Sequence, residues 1–380
     1  MPNLDSKYFC AAPWVHVCQN VGGRLKPCCR FYSTVDFIKN EKTTIKDFFF
    51  GEEMNNLRET MLSDQPHAGC TKCYNEDASG KSSLRQQLNE AYKDKLDLDN
   101  PKIFYLEVGL SNACNLKCVT CASNYSTSWY EDDLELKRRN FYREDAKEKF
   151  VITDKEYLNI DVSSIERVKI LGGEPFMEPR NLELLELLDQ HGRIENMRLE
   201  IVTNATVMPN EKWIGYLERL KDLQLSISLD GIEDTAEFVR HGTNWSKLAK
   251  NTLWWRDFCS QRNHNFQFHF VIHAFNALNI QETVNWVERN HGNTLLNFDC
   301  LFGPKYLNVS YLPQWYKDKI LEQAKYIKRQ NNRDYVIKFI NSNTYDQDNQ
   351  QTMIKYLEHL EHIRDTPINS KYKENILKIQ

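Results

Sequence analysis

Three cysteines, Cys114, Cys118 and Cys121, stand in the stretch CNLKCVTC at a C-x3-C-x2-C spacing, directly after the apolar run KIFYLEVGL. Thiols this close in one loop read as metal ligands, because the thiolate is a soft, anionic donor. A closed tetrahedral site wants four donors, and three leave a position open. Two chemistries fit: an iron–sulfur cluster with one iron free to bind something else, or a zinc ion completed by a distant His or Cys.

A second set lies upstream. Cys10, Gly23 and Cys28 obey a C-x12-G-x4-C pattern, and CTKC (Cys70 to Cys73) follows. The glycine permits the tight turn of a hairpin that brings Cys10 and Cys28 to one side, and a C-x2-C knuckle adds two sulfurs. Together they make a closed four-sulfur site, for which structural zinc is the rival to iron–sulfur. Cys29 competes with Cys28 for one position. Cys18, Cys259 and Cys300 read as small apolar core residues, and His16, His269 and His273 as core or rim histidines.

These thiols need a scaffold and a reducing environment. The chain has 380 residues, enough for two or three domains, and its 49 Lys and Arg against 53 Asp and Glu give no general affinity for nucleic acid. No apolar run approaches the roughly 18 residues that span a bilayer. The start, MPNLDSKYF, lacks a signal-peptide layout, so a cytoplasmic setting is expected, where clustered cysteines point to metal ligands rather than disulfides.

The stretch WVHVCQN, the turn VGGR and LKPCCRF suggest a short hairpin, and EEMNNLRETMLSD a helix. From about residue 101 strand-like runs alternate with helical ones: IFYLEVGL, RVKILGG, RLEIVTNA, LQLSISLDG, FQFHFVIHAF and LLNFDCLFG. RNLELLELLDQHG carries leucines at helical spacing with Gly192 as its cap. That alternation predicts an α/β fold with a parallel sheet, open or curled into a full or partial barrel. ELKRRNFYREDAKEKF reads as a solvated helix in an insertion, and the last 70 or so residues as amphipathic helices packed on the outside.

The ordered motifs resemble those of the radical S-adenosylmethionine (SAM) enzymes. Their hallmark is this three-cysteine loop after the first barrel strand. The resemblance implies a partial (β/α)6 barrel over 101–305, a cysteine-rich hairpin domain over 1–100 and a helical extension over 306–380. It implies a [4Fe–4S] cluster on Cys114, Cys118 and Cys121 whose open iron is chelated by SAM, reductive SAM cleavage to a 5′-deoxyadenosyl radical, and hydrogen abstraction from substrate. KILGGEP looks like the family's Gly-Gly-Glu element, with Gly172, Gly173 and Glu174 at the SAM amino group. By the same likeness Thr203, Asn204 and Ser228 lie near the ribose and carboxylate, Arg240 reaches towards the SAM carboxylate, and Asp230 faces the substrate side as an acid or base. Thr120 stands where an aromatic residue is frequent in the family.

The upstream cysteines look like the auxiliary-cluster module of SPASM and twitch enzymes, here before the barrel rather than after it. That likeness, with the glycine offset, selects Cys10, Cys28, Cys70 and Cys73 for an auxiliary [4Fe–4S] cluster. The implied activity is oxidative modification of a peptide or protein side chain, fed by a reductant such as flavodoxin or ferredoxin. Dehydrogenation or epimerisation of a small sugar or alcohol is the alternative reaction. A non-catalytic electron relay or scaffold is the alternative class. Basic runs such as LKRR are balanced by nearby acids and read as solvated helix faces rather than nucleic-acid contacts.

Overall fold

The computed structural model describes residues 6–32, 43–78, 82–143 and 160–364. Its strands are β1 (His16–Gln19), β2 (Leu25–Lys26), β3 (Tyr105–Gly109), β4 (Lys117–Cys118), β5 (Arg167–Leu171), β6 (Arg198–Thr203), β7 (Asp222–Ser228), β8 (Arg240–His241), β9 (Asn265–Ile272) and β10 (Leu295–Cys300). Eight of them form one open sheet in the order β10-β9-β7-β6-β5-β3-β1-β2, while β4 pairs with β8. The six strand runs read from residue 101 onwards are β3, β5, β6, β7, β9 and β10, so the α/β class with an unclosed parallel sheet holds.

Side-chain alternation explains why these runs are strands. Val17, Leu106, Val108, Val168, Ile170, Leu199 and Ile201 are all fully buried and lie on one face of β1, β3, β5 and β6. The alternate positions carry His16, Cys18, Tyr105, Glu107, Arg167, Lys169 and Glu200, and parallel register aligns them: Cys18 opposite Glu107, Glu107 opposite Lys169, Lys169 opposite Glu200.

The N-terminal hairpin differs from the expectation of a separate small domain. Residues Ala12–Val15 form one helical turn, and β1 starts only at His16. The strand then pairs in parallel with β3, while β2 returns antiparallel through a turn at Gly22 and Gly23, both at positive φ. The hairpin therefore extends the main sheet. By compactness the chain divides into one unit of residues 1–112, 149–201 and 209–223 and another of 113–148, 202–208 and 224–380.

The predicted helices Glu52–Leu62 and Pro179–Gln190 are present, the latter followed by Gly192 at φ +63°. Among the described residues the charged segment is helical over Tyr130–Arg138, where Asp132 and Asp133, just before ELKRRN, are buried; positions 144–159 lie outside the described residues. The C-terminal helices Gln314–Ala324, Gln330–Ile340 and Gln347–Arg364 are amphipathic, with one face buried and the other exposed. Ile320, Ile340, Tyr356 and Leu360 share one core with Phe270, Ile272, Phe298 and Val119. No described helix is long and apolar enough to cross a membrane.

His273, just beyond β9, is 1% exposed, and burial pulls its pKa down from 6.5 to about 4. An unfolded chain protonates this ring below pH 6.5 while the folded chain resists, so stability is complete above pH 6.5 and declines as pH falls towards 4. The loss is worth up to roughly 3 kcal/mol for one such ring. Urea midpoints measured at pH 7, 5.5 and 4.5 should fall in that order, and His273→Gln should flatten the dependence; an unchanged slope would reject the assignment.

Candidate functional site

The three-cysteine loop belongs to the second unit, and a two-residue ribbon fixes it. Strand β4 pairs antiparallel with β8, setting Cys118 opposite Arg240. Arg240 Nη1 consequently lies 3.7 Å from Cys118 Sγ, and Nη2 lies 2.7 Å from Asp230 Oδ2. The other Asp230 oxygen accepts from Val271 N at 2.8 Å. With both oxygens engaged, Asp230 is suited to orienting Arg240.

On the other side of the loop, Asn204 Nδ2 is 3.8 Å from Cys114 Sγ and 3.2 Å from Asn115 Oδ1. Its amide orientation is set by Thr206, whose N and Oγ1 donate to Asn204 Oδ1 at 2.9 and 2.7 Å. Thr203 Oγ1 accepts from Ala205 N at 2.9 Å and closes a turn in which Ala205 adopts φ +55°. Ser228 ends β7 in register with His269. Two N–H donors thus point at two sulfurs, an arrangement worth more to a metal-bound thiolate than to a neutral thiol. Burial pushes the Cys118 thiol up to about 11 against the pull of Arg240, and burial raises Cys121 further.

Gly172, Gly173 and Glu174 belong to the first unit, at the end of β5. Gly172 has φ +129°, and a Cβ there would stand 2.7 Å from the carbonyl oxygen of Ser111. The glycine pair therefore lets backbone approach backbone, and Gly173 N donates to the same oxygen at 3.2 Å. Glu174 is 1% exposed and accepts from Phe176 N at 3.4 Å across a Pro175–Met177 turn.

Also in the first unit, Cys10, Cys28, Cys70 and Cys73 line a single cavity of about 320 Å³, solvent-facing space included, with Arg30, Phe31 and Arg85 among its walls. Cys70 and Cys73 flank the start of the helix Thr71–Ala78, whose N-terminal dipole favours thiolate. Arg85 is held by Asp77 at 2.8 Å and by the carbonyls of Ser6 and Phe9. Burial pushes the thiols of Cys10 and Cys70 up to about 12 and 11 and raises those of Cys28 and Cys73, so loading this pocket must release protons. Among the described residues no three His, Cys, Asp or Glu side chains converge as around a single metal ion.

Cys29 takes no part in that cavity. It is solvent-accessible and interacts with Glu107 and Lys169, and the enclosure of its sulfur pushes its thiol up to about 12. Glu107 itself is fully buried: Tyr105 Oη donates to it at 2.7 Å, Lys169 Nζ is 3.3 Å away and His16 Nε2 3.5 Å away. Burial works to raise its carboxyl, but these partners outweigh it and hold the group well below the usual carboxylate range.

Residues 108–287 match the model of the Radical SAM superfamily. The chain carries a radical SAM domain. A radical SAM domain implies SAM and a [4Fe–4S] cluster as cofactors, and the loop sulfurs with their N–H donors fit such a cluster. The GTP 3′,8-cyclase of Alkaliphilus oremlandii (strain OhILAs) is 26% identical over 162 residues, 40% of this chain and 43% of that protein, so the chain spans less than half of this curated relative. Among solved structures, polyhistidine-tagged anSMEcpe with bound AdoMet is 19% identical over 65% of this chain and 61% of that one, with a TM-score of 0.43. Streptococcus suis SuiB bound to S-adenosylmethionine is 18% identical over 77% and 59%, with a TM-score of 0.36.

Sequence reasoning missed Arg143, Arg364, Trp129 and Tyr356, which contact the cysteine loop's backbone, because charged and aromatic residues in helical runs carry no spacing signal for such a role. The cavity lining also separates adjacent thiols. Anaerobic iron and sulfide reconstitution should load Cys29→Ala as fully as wild type, whereas Cys28→Ala should lose about half of its iron, one cluster of two. Equal loss in both variants would contradict the geometry.

Proposed function

We propose that this chain is a radical SAM enzyme that cleaves SAM reductively and abstracts a hydrogen atom to modify a peptide or protein side chain. In this reading Cys114, Cys118 and Cys121 hold a [4Fe–4S] cluster with one open iron. Cys10, Cys28, Cys70 and Cys73 hold an auxiliary [4Fe–4S] cluster. When bound, the open cluster supplies the electron that breaks the SAM sulfur–carbon bond. Arg240, kept charged and aimed by Asp230, offers its guanidinium to the SAM carboxylate; Asn204, Thr203 and Ser228 offer polar contacts from the strand ends; Gly172, Gly173 and Glu174 take the amino group.

The observation that carries the reading is the coexistence of an open three-thiol loop with a closed four-thiol cavity. A fourth sulfur is withheld at one site and supplied at the other. An auxiliary cluster with no free position suits removal of the electron left after hydrogen abstraction, which makes the reaction oxidative. A flavodoxin or ferredoxin is the proposed electron donor. A second reading, chemistry on a small molecule, is favoured by the match to a GTP 3′,8-cyclase.

Reconstituted protein, reduced in the presence of SAM, should form 5′-deoxyadenosine, and a Cys114, Cys118, Cys121 triple alanine variant should form none. Added peptides should raise deoxyadenosine formation and gain a mass change. Turnover with nucleotides, sugars or alcohols instead would select the small-molecule reading, and no deoxyadenosine from the wild type would select an electron relay or scaffold.

A further inference from the structure

The carbonyls of the cysteine loop are satisfied largely by side chains from outside it, while Val119 N donates to Val239 O and Cys121 N to Cys118 O. Ser128 Oγ donates to the carbonyl of Cys114 at 2.7 Å, Ser126 Oγ to that of Leu116 at 2.6 Å and Trp129 Nε1 to that of Cys118 at 2.9 Å. The helix Gln347–Arg364 adds Tyr356 Oη to Val119 O at 2.8 Å and Arg364 Nη2 to Lys117 O at 2.6 Å. Arg143, beyond the helix Tyr130–Arg138, donates through Nη2 to Cys121 O and through Nη1 to Tyr356 Oη at 2.8 Å.

The two arginines share one platform. The guanidinium of Arg143 lies 4.4 Å, and that of Arg364 4.9 Å, from the centre of the same ring, Trp129. Their side chains are 9% and 3% exposed. Both stay protonated at any working pH. Asp133 lies 3.8 Å from Arg143, and Asp132 lies 3.8 Å from Arg364 and 2.6 Å from Lys117 Nζ. Lys117, Arg143 and Arg364 thus bring three cations beside the loop, held by Asp132 and Asp133. Arg143 is within electrostatic reach of the Cys121 sulfur and Arg364 of the Cys118 sulfur. Where water is excluded, a unit charge a few ångströms away acts with little screening.

We propose that Arg143 and Arg364 are positioning residues for the radical cluster: they clamp the cysteine loop through its carbonyls, and their charge stabilises the reduced, more negative cluster, tying its electron affinity to the seating of the C-terminal helix. The proposal rests on Cys114, Cys118 and Cys121 being that cluster's ligands. It assigns the C-terminal extension a part in electron uptake, apart from any contact with substrate.

The test is an anaerobic redox titration of the full-length, reconstituted protein, following the reduced-cluster EPR signal that SAM perturbs. Arg364→Gln should take up the electron about tenfold less readily, a midpoint lower by about 59 mV for one electron. Arg364→Lys, which keeps the charge but not the planar fork, should recover most of that shift, and Tyr356→Phe should leave the midpoint at the wild-type value. An unshifted Arg364→Gln with full iron, or equal shifts in the Gln and Lys variants, would overturn the proposal. Should Arg364→Gln fail to load iron, Arg364→Lys decides: loading restored by the lysine supports the role of charge, and equal failure rejects it. A wild type without any SAM-sensitive signal would instead count against the radical SAM reading itself.

Discussion

The carbonyls of the cysteine loop must be paired, and beside the bond from Cys121 N to Cys118 O most of their donors are side chains outside the loop. Much of the second unit follows from this constraint. Six carbonyls, from Cys114 to Cys121, accept hydrogen bonds from Ser126, Ser128, Trp129, Tyr356, Arg364 and Arg143. Each buried carbonyl left unpaired would cost on the order of 1–3 kcal/mol, so the donors are as much part of the loop as its own residues. Val119, between two cysteines, joins the same apolar core as Tyr356 and Leu360, which locks the helix that carries two of the donors.

The two cysteine sets solve the same electrostatic problem differently. Anionic sulfurs gathered out of water repel one another, and burial raises the thiols of Cys10, Cys28, Cys70, Cys73, Cys118 and Cys121 alike. In the closed cavity relief comes from Arg85 and from the start of the helix Thr71–Ala78. In the open loop it comes from Arg240 through a strand ribbon and from Arg143 and Arg364 through the backbone clamp. Each arginine is itself anchored by a carboxylate or a carbonyl. Were metal to load at either set of thiols, protons would leave as it arrived.

The sheet was legible in the sequence because strand periodicity, turn glycines and caps are local. The six strand runs from residue 101 and the leucine-rich helix with its glycine cap are where the pattern put them. The cysteine sets were legible because spacing within a loop or knuckle is also local. Register between distant segments was not. Nothing in HVCQ announces that it will pair with β3, so the hairpin read as a separate module. The helix YLEHLEHIR shows an apolar stripe in the sequence but not its partner, which includes Val119 of the cysteine loop. Asp230 reads as a strand-end carboxylate, and only the folded chain brings Arg240 and Val271 N to its two oxygens.

The same distinction bears on the row Cys18, Glu107, Lys169 and Glu200. Each residue alone is an ordinary strand position, and only parallel register makes them neighbours across four strands. A fully buried carboxylate costs several kcal/mol to desolvate, and an apolar residue of similar volume would stabilise the sheet at least as well. Tyr105 and Lys169 compensate one oxygen of Glu107; the other faces the imidazole of His16 at 3.5 Å. Stability therefore does not explain why this face of β1, β3, β5 and β6 is polar while the opposite face is mostly aliphatic. Helices covering both faces would have selected aliphatic residues on both, so the polar row is the sheet's departure from the rule that otherwise builds it.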